Sequence, residues 1–265
     1  NAADQVSGCK QNISWSKKYF VIMGNVTKKE IIQSLNLQKE IFGDELFIPK
    51  NKGNTSVVKE SSITYEEPAL FPEEKENWEK TSSLDELEKI ICDCTKCRLH
   101  QGRNKFVFGT GNPIADVLVI GEGPGAEEDK QGLPFVGRAG KLLTDMLKAI
   151  KFEREEVYIG NVVKCRPPEN RTPMQDEMDT CLPYLKKQVE LIKPKLILCL
   201  GLTAAKGLLK KKESLGQLRK SVFEYEGAKV IVSYHPAALL RNPHWKKDSW
   251  EDLKKFRSLY EQLVG

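Results

Sequence analysis

Beyond residue 112 the chain alternates short aliphatic runs with longer stretches whose apolar residues recur every three or four positions. The runs at 115–120, 157–163, 195–200 and 229–234 read as strands, and the amphipathic stretches at 137–150, 173–192, 203–211 and 250–263 read as helices. Four strands each followed by a helix predict an α/β fold: a three-layer α/β/α sandwich on a mostly parallel, four-stranded sheet. Ligands in such folds sit beyond the carboxyl ends of the strands, so the loops after Ile120, Val163, Leu200 and Tyr234 are where chemistry is expected.

The N-terminal part has a different pattern. An apolar run at 19–23, a helix-like stretch at 27–42 and a second apolar run at 46–48 predict a small α+β appendage over residues 1–50. Residues 51–82 lose periodicity and collect Asn, Gly, Ser, Glu and Pro, the composition of a linker. Ser83 and Glu86 form a capping-box pattern that opens a helix through Ile91 and starts the main domain, 83–265. A second pattern, Thr172 with Gln175, predicts another helix start with Pro173 at the first helical position.

The 265 residues are 40% hydrophobic and 30% charged, enough to build a core and unlike a disordered chain. The longest aliphatic runs, 117–120 and 196–200, fall far short of the roughly 18 apolar residues a bilayer span needs, so no membrane role is expected. The opening Asn1-Ala2-Ala3 lacks a basic-then-apolar signal pattern, and secretion is not expected. Residues 1–91 hold 12 Lys and Arg against 15 Asp and Glu, whereas residues 92–265 hold 30 against 22. The net charge of +5 therefore comes from the main domain, which favours an anionic partner, nucleic acid before membrane.

Seven cysteines in a chain of this length do not form a disulfide scaffold, and they indicate a reducing, cytoplasmic setting and a metal site. Cys94-Thr95-Lys96-Cys97 offers two thiolates from one turn; Cys165 and Cys181 would complete four ligands, for structural zinc or for an iron-sulfur cluster. Cys92 is a competing ligand on spacing alone, and Cys199 within an apolar strand reads as core. Gly121-Glu122-Gly123-Pro124-Gly125 after the first strand fits a phosphate cradle, a close approach to a flat polar ligand, or a plain tight turn. Of three histidines, His235 is the best placed for chemistry, between a strand end and Pro236.

These stretches together resemble the family 4 uracil-DNA glycosylases, the iron-sulfur branch of that superfamily, over about residues 83–265. The likeness rests on Cys94-Thr95-Lys96-Cys97, on Gly121 to Gly125 with Glu128-Asp129, and on Gly132-Leu133-Pro134-Phe135-Val136-Gly137. It extends to Asn161 through Pro168 and to His235-Pro236-Ala237 through Arg241. The resemblance implies a monofunctional, base-flipping DNA repair enzyme that hydrolyses the N-glycosidic bond of uracil in DNA and leaves an abasic site. It also implies a structural [4Fe-4S] cluster on Cys94, Cys97, Cys165 and Cys181.

On that resemblance Phe135 stacks on the flipped base, Asn161 reads uracil O4 and N3–H, and His235 stabilises negative charge on O2. Gly121, Glu122 and Gly123 close round the base, and Glu122 is the candidate for orienting the attacking water. In the best-known relatives an Asp takes that water role and a Tyr blocks thymine's methyl group; Gly123 and Gly125 stand at those places here, which leaves Glu128 as a candidate thymine block. Leu239 or Leu240 would wedge into the gap in the helix. Lys164, Arg166, Arg171 and Arg241 would hold phosphates. A monomer acting on uracil-containing DNA is expected, with residues 1–50 a candidate contact for a protein partner. The rival readings are a nucleic-acid binder of this fold without catalysis and an iron-sulfur redox protein.

Overall fold

The computed structural model describes residues 76–264, all within the second of two compact units, Ala69–Gly265. The module expected over 1–50 and most of the stretch 51–82 lie outside the described residues. The end of that stretch, Asn77–Lys80, forms a short 3-10 turn whose Trp78 packs edge-on against Tyr184 at 4.9 Å.

Helix α1 (Leu84–Ile91) starts at the predicted cap, with the Glu86 amide donating to Ser83 Oγ at 3.2 Å. The return contact goes one residue further back, from the Ser82 amide to the Glu86 carboxylate. Strands β1 (Thr110–Gly111), β2 (Val117–Gly121) and β3 (Tyr158–Asn161) enclose helices α2 (Ala126–Gln131) and α3 (Arg138–Ala149). Helix α4 (Gln175–Ile192) precedes β4 (Leu196–Leu200), followed by α5 (Leu202–Leu209) and α6 (Leu215–Leu218). Strands β5 (Phe223–Tyr225) and β6 (Ala228–Ser233) lead to α7 (Pro236–Arg241) and α8 (Lys246–Val264).

Among the described residues the sheet has six strands in the order β1-β3-β2-β4-β6-β5, not four. Its central four, β3, β2, β4 and β6, are the predicted strands and run parallel; β1 and β5 add antiparallel edges. The edges escape a periodicity reading because they are two and three residues long. One of them still has a local signal: Glu226-Gly227 between β5 and β6 takes positive φ at both positions (48° and 82°), as the tight hairpin turn requires.

Successive residues of the central strands bury on opposite faces. Leu118, Ile120, Ile197, Cys199, Val230 and Val232 pack with residues of α1, α4 and α5, whereas Val117, Val119, Ile159, Leu196, Leu198 and Ile231 pack with α3, α7 and α8. These two cores are the interfaces of the expected sandwich. Full burial of a Leu or Ile side chain contributes about 1.5–3 kcal/mol, so this double-faced sheet is the rigid platform for the loops beyond its carboxyl edge. The second predicted helix start is corrected: α4 begins at Gln175, and its cap contact runs from the Met174 amide to Glu177 at 2.8 Å. Glu177 prevails over Gln175 because its carboxylate also accepts two hydrogen bonds from Arg171, at 2.6 and 2.8 Å.

Among the described residues no helix is long and apolar enough to cross a membrane.

Candidate active site

Three of the four loops singled out at the sheet edge converge on one cavity of about 420 Å³, within the roughly 300–1,000 Å³ of small-molecule pockets. Glu122, Gly123, Pro124 and Gly125 come from the loop after β2, Asn161 from the tip of β3, Pro167 and Asn170 to Thr172 from the loop beyond it, and His235, Ala237 and Arg241 from the start of α7. Phe135 and Ala139 form the remaining wall with Glu128. The loop after Leu200 contributes no wall residue.

Asn161 is 2% exposed, and its side-chain Oδ1 has no hydrogen-bond partner. A buried polar atom left unpaired costs about 1–3 kcal/mol, and the residue that carries it lines a cavity that a ligand could fill. Gly121 is not itself a wall residue but the floor beneath two of them. A Cβ there would fall 2.4 Å from Asn161 Oδ1 and 2.7 Å from the Phe135 ring. The glycine thus lets amide and ring sit over one point of the backbone. Phe135 itself has φ of +53°, unusual for a residue with a side chain, and its carbonyl would lie 1.9 Å from a Cβ on Gly140 in α3. A bare helix surface is needed where that bend docks.

His235 is the N-cap of α7. Its Nδ1 accepts a hydrogen bond from the Ala237 amide at 3.1 Å, so the proton of the neutral ring belongs on Nε2. Burial pushes its pKa down from 6.5 to about 4; the nearby Arg241 charge acts in the same direction and Glu128 opposes them. The ring stacks on Phe135, with centroids 5.4 Å apart and planes 28° apart. At that centroid separation a base does not fit between the rings and must meet His235 at its edge.

Glu128 joins two loops. One carboxylate oxygen accepts from the Gly125 amide at 3.2 Å and the other from the Val136 and Gly137 amides, both at 3.0 Å. Asp129, fully buried beside it, accepts from the Asn104 amide at 2.8 Å. Glu122, by contrast, makes no side-chain hydrogen bond or ion pair among the described residues and stands on the cavity wall.

Among the expected phosphate contacts, Arg171 and Arg241 line the cavity and Arg166 bonds Asn170 at 2.8 Å nearby. Lys164 does not belong with them. It is completely buried, its ammonium donating to the Asn161 carbonyl at 2.9 Å and to Gln188 Oε1 at 2.5 Å, so no phosphate can reach it. Burial lowers its pKa to about 8 despite the charge of Cys181. Leu239 is corrected likewise: it is 2% exposed and packs in the core beneath α7, which leaves Leu240, 37% exposed, as the wedge candidate.

The four cysteines come from the loop after α1, the end of the β3 segment and α4. Each of three sulfurs has a donor at 3.3 Å: the Tyr184 hydroxyl for Cys94, the Arg103 guanidinium for Cys165 and the Lys164 amide for Cys181. Burial pushes the Cys181 thiol up to about 12, Lys164 pulls it down, and the neighbouring Cys165 and Cys97 push it further up. Cys92 turns away, its thiol on the Lys89 carbonyl, and Cys199 is buried within β4. Among the described residues no three His, Cys, Asp or Glu converge tightly enough to hold a single metal ion.

Arg103 escaped the sequence reading. It also donates to the Cys94 carbonyl at 2.6 Å and the Cys92 carbonyl at 3.3 Å. No local pattern marks it, because its partners lie 9, 11 and 62 residues away. Gln188 and Tyr184, on one side of an amphipathic helix, were likewise indistinguishable from ordinary helix residues.

Residues 108–254 match the family described as the uracil DNA glycosylase superfamily. The type-4 uracil-DNA glycosylase of Sulfurisphaera tokodaii is 47% identical over 188 residues, covering 66% of this chain and 86% of that protein. Those of Archaeoglobus fulgidus and Pyrobaculum aerophilum are each 43% identical, over 185 and 181 residues, covering 67% and 65% of this chain and 93% and 92% of theirs.

Proposed function

The chain belongs to the type-4 uracil-DNA glycosylases of the uracil-DNA glycosylase superfamily, and from that premise we propose which of its residues bind and release the base. It is a DNA repair hydrolase acting on N-glycosyl bonds, with uracil-containing DNA as substrate. The observation that carries the site assignment is that Asn161, whose side-chain Oδ1 has no partner, and His235, whose Nδ1 is taken up by the Ala237 amide so that the ring proton belongs on Nε2, line one cavity.

Asn161 Oδ1 accepts uracil N3–H while its amide donates to O4. Cytosine reverses that pattern and would leave the buried amide unsatisfied, a stronger basis for rejection than a missing methyl group. Phe135 supplies the stacking face for a nucleotide taken out of the helix. As the glycosidic bond breaks, negative charge grows on uracil O2, and the neutral His235 donates its Nε2–H there. A donor aimed at developing charge stabilises the transition state more than the ground state. The free carboxylate of Glu122 holds the water that attacks C1′. Glu128, whose oxygens are occupied by three amides, shapes the wall and closes the pocket to a larger base. Arg171, Arg241 and Arg166 hold the backbone, and Leu240 fills the vacated stack.

Cys94, Cys97, Cys165 and Cys181 would hold a [4Fe-4S] cluster. The donor set is all thiol, and the hydrogen bonds from Tyr184, Arg103 and Lys164 are of the kind that stabilise ligating thiolates. The cluster would supply a covalent cross-link between the loop after α1, the β3 segment and α4. The domain limits remain a proposal too: residues 1–50 as a partner-contact module, 51–82 as a linker and 83–265 as the catalytic domain, acting as a monomer.

The test is release of free uracil from a uracil-containing oligonucleotide by the wild type and by Asn161→Ala and His235→Gln. Loss of release with DNA affinity retained supports these assignments. No release by the wild type, with DNA still bound, would favour a binder without catalysis.

A further inference from the structure

Lys164 is harder to explain than any other buried residue. Its ammonium is fully enclosed, both hydrogen-bond partners are neutral oxygens, and among the described residues no carboxylate pairs with it. An unpaired buried charge is costly, and a methionine of similar length would fill the space without that cost. What the lysine provides is position. Its Nζ holds the Asn161 carbonyl at 2.9 Å and is steadied by Gln188 at 2.5 Å. Gln188 is fixed in turn on the Phe108 carbonyl at 3.0 Å and the Tyr158 hydroxyl at 3.4 Å. The main chain of Lys164 is held at both ends, its amide on Cys181 Sγ at 3.3 Å and its carbonyl accepting from the Val107 amide at 2.9 Å.

We propose that Lys164 is a positioning residue for Asn161: it fixes the base-reading amide at the tip of β3 relative to the four-cysteine site on which its own backbone rests. Ligating thiolates at the four-cysteine site would supply the negative surroundings that make a buried ammonium tolerable. The inference rests on the reading of Asn161 as the uracil contact, and it extends that reading by coupling base recognition to the cysteine site through one side chain.

The test uses Lys164→Met in the full chain, with iron content and visible absorbance as a first readout and the dissociation constant of free uracil as a second. The expected result is iron content like the wild type, a rise of about tenfold in the uracil dissociation constant from loss of a hydrogen-bonded anchor, and a fall of about 10- to 100-fold in kcat from a misplaced contact. KM for uracil-containing DNA, governed by backbone contacts, should move by less than about threefold. Full iron with unchanged uracil affinity and kcat overturns the proposal. So does a loss of kcat that only tracks a smaller active fraction, with uracil affinity intact. If Lys164→Met loses its iron, Gln188→Leu decides, because it keeps the lysine but removes its second anchor: weaker uracil binding at full iron supports the proposal, and unchanged binding overturns it. A wild type that binds no free uracil would sink the reading of Asn161 itself, a failure visible before any variant is made.

Discussion

The Ala237 amide donates to His235 Nδ1 at 3.1 Å, so one imidazole both caps α7 and, as a residue of the cavity wall, keeps its remaining N–H on Nε2. Burial and Arg241 hold its pKa near 4. The pH profile of kcat/KM should therefore show no acid limb from His235 at the ordinary imidazole value, only a decline toward pH 4. A limb near 6.5 that disappears in His235→Gln would contradict this. The stability consequence has a definite sign. Between about pH 6.5 and 4 the unfolded chain takes up a proton at this residue that the folded chain refuses, so stability is unaffected above that window and falls as pH drops through it. Denaturant titrations of wild type and variant at pH 7 and 4.5 measure the difference.

Asn161→Ala should lower kcat/KM by about 10²–10³-fold, the usual effect of deleting one preorganised polar contact in a transition state. Because the lost partner is an unsatisfied buried oxygen, the variant should be no less stable than the wild type. A melting temperature several degrees lower would mean that the amide has a structural role as well.

Gly121→Ala should cost about 1–3 kcal/mol of stability through overpacking and reduce activity together with it, since the added carbon meets both Asn161 and Phe135. Gly216→Ala is the control, because nothing lies within 4 Å of a Cβ there. Equal behaviour of the two variants in denaturation and uracil-release assays would refute the floor role of Gly121.

Adjacent leucines should separate cleanly. Leu239→Ala removes a core side chain and should destabilise by about 2–5 kcal/mol. Leu240→Ala should leave stability unchanged and slow uracil release from duplex DNA more than from single strands, where no stack needs filling. Equal slowing on both substrates would argue against a wedge.

Cys181→Ser should lose visible absorbance and iron and lower thermal stability, whereas Cys92→Ser and Cys199→Ala should keep their iron. Retention of full iron by Cys181→Ser, or its loss from Cys92→Ser, would require another ligand set.

The central strands, the long helices and the three active loops were legible because each leaves a local trace: period two or continuous apolar runs, helical periodicity, and glycine or proline at strand ends. The edge strands were not, being shorter than the period that would reveal them. Lys164 was misread for a general reason. A lysine in a loop is ordinarily solvated, and only the fold shows that the segment after Asn161 runs inward, where Gln188, 24 residues on, waits for the ammonium. Leu239 and Leu240 looked alike until α7 buried the one and left the other exposed. Arg103 had no local trace because each of its contacts is with a distant segment.

The carboxylate of Glu128 ties the Gly125 turn and the Val136-Gly137 turn into one piece. Neither turn can swing without the other, so the cavity wall they share meets a visiting base as one preset surface, not as two loops that must be brought together on binding.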